Sequence, residues 1–152
     1  MGEDIIDTIA FDMLSIPPLV FRIVRKKLIN TTLADSEVDI KFPHFEILRL
    51  LNREGVLHVA QIGERLEIAK AQMTHLIDRL VELDFVGREI DSTDRRTINV
   101  ALTDKGRCFV KEQDILVVNT VREKMSYLEE KELEEFSKSL RNVRDILVKL
   151  GT

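Results

Sequence analysis

The apolar positions divide the chain into two outer stretches of helical rhythm and a middle stretch where the rhythm changes. From residue 3 to about residue 31, Ile5, Ile6, Ile9, Met13 and Leu14 are followed by Leu19, Val20, Ile23, Val24 and Leu28. Steps of three and four predict a helix with one apolar face. Pro17 and Pro18 lack backbone donors, so this pair is expected to break or kink the helix. Residues 31–41 are polar and mixed and read as a connection. Phe42-Pro43 reads as the next helix start, since proline suits the first turn. Phe45, Ile47, Leu48, Leu50 and Leu51 carry that helix to Asn52, and Gly55 ends it.

A short helix is predicted over residues 59–66, with Ile62 and Leu66 inward, followed by a tight break at Glu67-Ile68. A longer helix runs from Ala69 to Asp84, with Met73, Leu76, Ile77, Leu80 and Leu83 inward. The period then shortens. Residues 85–90 and 97–102 read as strands around the turn-forming run Asp91-Ser92-Thr93-Asp94-Arg95-Arg96. Thr103 is a helix N-cap with Asp104 in the first turn, and that helix runs to about Leu128. A last helix, about 130–150, carries Leu133, Phe136, Leu140, Val143, Leu147 and Leu150. This is the seam of a helix that packs along another.

These elements predict a mainly α fold with a small β-hairpin wing (α+β). It is a winged helix-turn-helix over residues 42–106, flanked by N- and C-terminal dimerisation helices at 1–41 and 107–152. A central unit this small cannot cover both long outer segments, so a homodimer is expected. In such a fold the second helix of the pair enters the major groove, with its first turns toward the base edges. Its outward candidates are Lys70, Ala71, Gln72, Thr74, His75 and Arg79. Glutamine can bond adenine through two hydrogen bonds, lysine can reach guanine or phosphate, and threonine can meet a thymine methyl. The hairpin tip supplies Asp94, Arg95 and Arg96. An arginine there suits the negative potential of a minor groove, and Asp94 is placed to hold the arginine or the loop. The plain alternative is a solvated helix face and a solvated polar turn.

Composition narrows this picture. The 152 residues carry 23 Lys and Arg against 27 Asp and Glu, a net charge of −4. That excludes a non-specific nucleic-acid coat, which needs a basic surface to displace counterions, but leaves a local basic docking face open. One cysteine, Cys108, allows no intramolecular disulfide and fits a reducing cytoplasm. Asp4, Asp7 and Asp12 interrupt the apolar start, so no secretory leader is expected there. No apolar run is long enough to span a bilayer, and no membrane partner is expected.

The segment Asp94 to Gly106, with Asp94-x-Arg96 and later Leu102-Thr103-x-x-Gly106, resembles the wing signature of the MarR family of transcriptional regulators. Gln61 to Leu66 and Thr74 to Leu80 resemble the family's two helix-turn-helix helices. The resemblance implies a dimer with interlocked terminal helices and a pseudo-palindromic operator in double-stranded DNA. It also implies a repressor whose DNA affinity responds to a small, often phenolic, anionic effector. Asp94 and Arg96 would be the wing pair, and Ala69 through His75 the start of the recognition helix. The chain departs from the pattern at Ala69, where a capping Ser or Thr is usual. Glu67 and Asp84 stand where glycine is usual.

Other chemistry finds little footing. His44, His58 and His75 have no cysteine partners nearby, so neither a metal site nor a cofactor is expected. His44, near a helix start close to the dimerisation helices, reads as a surface histidine, with the lining of a ligand cavity as the alternative, and Cys108 reads as a small packing residue. There is no glycine-rich phosphate loop and no nucleophile elbow, and Glu129-Glu130 and Glu134-Glu135 read as a solvated helix face. An enzyme is not expected. The rival reading is a winged-helix protein-interaction module without direct DNA reading.

Overall fold

The computed structural model describes the backbone of residues 2–35 and 40–151, and the side chains of residues 5–24 and 40–151. The element order is α1 (Gly2–Asp35), α2 (Phe42–Glu54), β1 (Leu57–His58), α3 (Val59–Leu66), α4 (Lys70–Glu82), β2 (Val86–Ile90), β3 (Ile98–Leu102), α5 (Asp104–Met125) and α6 (Glu130–Lys149). This is the mainly helical winged fold the sequence predicts.

Local chemistry sets the boundaries. At the start of α2 the Lys41 backbone N–H donates to Nδ1 of His44 at 3.0 Å. Gly55 ends α2 with a φ of +82°, and its N–H returns to the Leu51 carbonyl at 2.8 Å. Only glycine adopts that conformation without a side-chain penalty. α3 stops at Glu67 in the left-handed region, φ 53°, and the Ile68 N–H closes the turn on the Gly63 carbonyl at 2.9 Å. Asp84 takes a similar conformation, φ 59°, where α4 gives way to the wing.

The three-stranded antiparallel sheet has the order β1-β3-β2. β2 and β3 form the hairpin, from Val86 opposite Leu102 to Ile90 opposite Ile98. β1 adds Leu57 opposite Val100 and His58 opposite Asn99. The core lies between this sheet and the helices. Ile47 and Leu48 of α2, Ile62 of α3, Met73, Ile77 and Leu80 of α4, Val86 and Val100 of the sheet, and Val110 of α5 are all buried. Phe109 stacks on Phe85 at 4.4 Å between ring centroids and meets Phe45 at 5.6 Å. One aromatic cluster therefore joins α2, the start of the wing and α5.

Four expectations need correction. α1 passes through Pro17 and Pro18 as one helix and extends to Asp35, past the expected end near residue 31. The expected break at this pair is therefore absent: losing two donors does not end the helix. The side chain of Leu28, and residues 36–39 of the expected connection, lie outside the described residues. His44 is buried at 6% exposure rather than at the surface, because its ring folds back to accept the Lys41 N–H. Cys108 is exposed rather than packed, since Phe109 and Val110 take the inward positions of α5. β1 was not anticipated.

The outer helices contrast with this core. α6 buries none of its residues. Along α1, Ile5, Ile6, Ile9, Phe11, Met13 and Leu14 are exposed. Among the described residues, no helix is long and apolar enough to cross a membrane.

Candidate nucleic-acid interface

α4 buries Met73, Leu76, Ile77 and Leu80 and so fixes which residues it turns outward. Lys70, Ala71, Gln72, Thr74 and His75 are exposed within its first turn and a half, and Arg79 is half-buried. The Ala69 N-cap makes no side-chain hydrogen bond, which leaves the first N–H groups of α4 open to an anion. Lower on the helix the charges are engaged. Arg79 pairs with Glu82 at 3.1 Å, and Asp78 receives Arg88 of β2 at 2.7 Å. That second pair joins α4 to the wing. The Thr74 hydroxyl donates to the Lys70 carbonyl at 3.4 Å.

At the wing tip Asp94, Arg95 and Arg96 are exposed. Oδ1 of Asp94 accepts the backbone N–H of Arg96 at 3.0 Å, so it braces the loop and leaves the guanidinium group to solvent. The sequence reading missed the second brace. Asp91 accepts the Thr93 N–H at 2.8 Å and the Thr93 hydroxyl at 2.6 Å, and its other oxygen accepts from Asn99 at 3.3 Å. The bonds from Thr93 lead the effects that lower its carboxyl pKa from 3.8 to about 2. Asp91-Ser92-Thr93 carries the sequence signal of such a turn, an Asp bonding the backbone two residues on.

The predicted site residues therefore form two sets. One occupies the start of α4, with Arg79 apart from it in the last turn, and the other the hairpin tip; the Arg88–Asp78 bridge ties their supporting elements. Both sets are anchored to α5 through a close joint. The Thr103 hydroxyl donates to the Asp84 carbonyl at 2.5 Å and accepts the Gly106 N–H at 3.0 Å. Lys105 donates to the Leu83 carbonyl at 3.0 Å. A Cβ on Gly106 would stand 2.0 Å from the Phe85 carbonyl oxygen, so only glycine fits there. Leu102-Thr103-x-x-Gly106 thus encodes a buried strand end, an N-cap and a close approach. Among the described residues, no cluster of His, Cys, Asp and Glu is placed to hold a metal ion.

Comparison with known proteins follows this geometry. Residues 40–98 match the model of the MarR family. The HTH-type transcriptional regulator YfiV of Bacillus subtilis is 35% identical over 71 residues, 47% of this chain and 44% of that protein. The HTH-type transcriptional repressor MdtR of the same organism is 37% identical over 60 residues, 40% of this chain and 39% of that one. The chain thus spans less than half the length of these curated relatives. Both are named as regulators and not as enzymes. The solved structure of a MarR family protein from Bacillus stearothermophilus covers 97% of this chain and 99% of its own, with a TM-score of 0.77 at 20% identity. That likeness shows the shared fold.

Proposed function

We propose that this chain, whose residues 40–98 match the model of the MarR family, is a homodimeric, sequence-specific DNA-binding transcriptional regulator of that family that acts as a repressor. The reading rests on one arrangement. A buried core turns Lys70, Ala71, Gln72, Thr74 and His75 outward on α4, while the braced hairpin presents Arg95 and Arg96 to solvent. The helix reads base edges in the major groove, and the wing reaches the neighbouring minor groove and phosphates. Arg79, held by Glu82, supports the far end of the helix at the DNA backbone. Asp94 acts by shaping the loop.

In this reading residues 42–106 form the DNA-binding part, and residues 1–41 and 107–152 form the dimerisation part. The exposed apolar faces of α1 and α6 support the division. Burying a Leu, Ile or Phe side chain contributes about 1.5–3 kcal/mol, and a second copy supplies the cover one protomer lacks. A two-fold dimer sets its recognition helices about 34 Å apart, one turn of a pseudo-palindromic operator. Control by a small anionic effector, implied by the family resemblance, would act where α2 meets α5, near the Arg49–Asp114 ion pair.

The test is selection of duplexes from a random pool, then anisotropy titrations of wild type and Arg96→Ala at two salt concentrations. A two-fold-symmetric site should emerge. Arg96→Ala should weaken binding and flatten the salt dependence by about one unit of log–log slope. Recovery of no site, with weak and unselective binding at moderate salt, would sink the reading.

A further inference from the structure

The wing carries apolar side chains beyond the point where the core ends. Ile90 and Ile98 are cross-strand partners, yet they are 69% and 40% exposed. Alternation along β3 puts Ile98 on the same side as buried Val100 and Leu102, and along β2 it puts Ile90 on the side of buried Val86. The pair extends the inward side of the sheet beyond its buried residues Val86, Val100 and Leu102. Arg95 and Arg96 lie next to it in the turn. Their guanidinium groups make no ion pair with the described residues.

We infer that Ile90 and Ile98 form an apolar platform that packs on the deoxyribose wall of the minor groove, beside the phosphates that Arg95 and Arg96 approach. The inference rests on the DNA-binding reading above and adds a non-ionic contact to it. Two features select this occupant. At the tip Asp91 and Asp94 are engaged by hydrogen bonds within the loop, while Arg95 and Arg96 turn their charge to solvent, which suits a polyanion. The patch is also only two side chains wide, far below the roughly 1,200–2,000 Å² that a stable protein–protein interface buries. The sugar edges of a minor groove offer carbon-bound hydrogens next to phosphate charge, and minor-groove proteins do bring apolar side chains, isoleucine among them, against the duplex. Glu89, which faces the other side of the hairpin opposite Asn99, stays clear of the platform.

The experiment uses the full chain and its selected duplex, with the variant Ile90→Thr/Ile98→Thr. Threonine is β-branched and keeps the strand preference, and thermal unfolding confirms the fold. Affinity should fall about tenfold, as expected for losing several buried methyl and methylene groups. The salt slope should stay at the wild-type value, unlike that of Arg96→Ala. Hydroxyl-radical footprinting should show loss of sugar protection where the wing lies, and Ile90→Leu/Ile98→Leu should restore both readouts. Affinity within twofold of wild type and an unchanged footprint would overturn the inference while leaving the DNA-binding reading intact. Dissociation of the protomers in sedimentation, with DNA contacts preserved, would give the platform to a second copy and equally overturn it. Absence of any duplex binding by the wild type would remove the DNA-binding reading itself.

Discussion

α4 and α6 carry the same kind of apolar pattern and use it in opposite ways. In α4 the inward positions Met73, Leu76, Ile77 and Leu80 are all buried. In α6, Phe136, Leu140, Val143 and Ile146 follow a similar spacing, and all are exposed. Periodicity states which face of a helix needs cover, not what supplies it. The winged-helix region finds its cover within the chain; the outer helices do not. Stability of the first is a property of one molecule; in the proposed dimer, that of the second would depend on association.

The largest effect should come from breaking the outer face. Leu140→Glu with Val143→Glu places charge on the α6 seam, and sedimentation should show only monomer, with a dissociation constant raised at least about a hundredfold. Amide signals of residues 42–106 should persist; their loss would mean that the two regions do not stand apart. Ile77→Ala tests the other side of the comparison. A cavity under α4 should cost about 2–5 kcal/mol, seen as a lower urea midpoint in the monomeric background. If Ile77→Ala instead alters association alone, the assignment of α4 to a self-contained core is wrong.

Smaller changes sharpen the boundary between the regions. Gly106→Ala forces a methyl against the Phe85 carbonyl and should destabilise by about 1–3 kcal/mol. Calorimetry reads the shift, and a variant as stable as wild type would show that the approach is looser than its geometry. The smallest effect is local. The pKa of Asp91 is lowered to about 2 in the folded wing, chiefly by the Thr93 bonds. Because that lies below the ordinary 3.8, its contribution is complete above about pH 4 and is lost as pH falls through 2. Amide exchange at Thr93 and Asp94 should quicken over that window while core amides hold. Asp91→Asn should remove the pH dependence.

The helix-turn-helix and the wing were legible because several independent signals coincide there. Leu102, Thr103 and Gly106 each report a local need and a tertiary contact at once. Gly55 marks a stop that its positive φ requires. Less visible were features set by partners distant in sequence. β1 has two residues, too few for an alternating pattern, and exists because β3 offers an edge. The Arg88–Asp78 bridge joins residues whose nearness follows from how β2 packs on α4. His44 reads as a polar surface residue until its ring is seen to cap its own helix. Cys108 reads as core until its neighbours Phe109 and Val110 occupy the inward positions. Glu67 and Asp84 show that left-handed turns can persist without glycine when the turns around them are tightly bonded.

The joint around Gly106 has a mechanical meaning. With no room for a methyl group between α5 and the Phe85 carbonyl, and with Thr103 and Lys105 fastened to the last residues before the wing, this corner has no play. A rotation of α5 about its own axis must swing the end of α4 and the root of the hairpin through the same angle. α4 and the wing then behave as two jaws of one rigid tool, and in the proposed dimer the spacing between two such tools would be set wherever their α5 shafts are gripped.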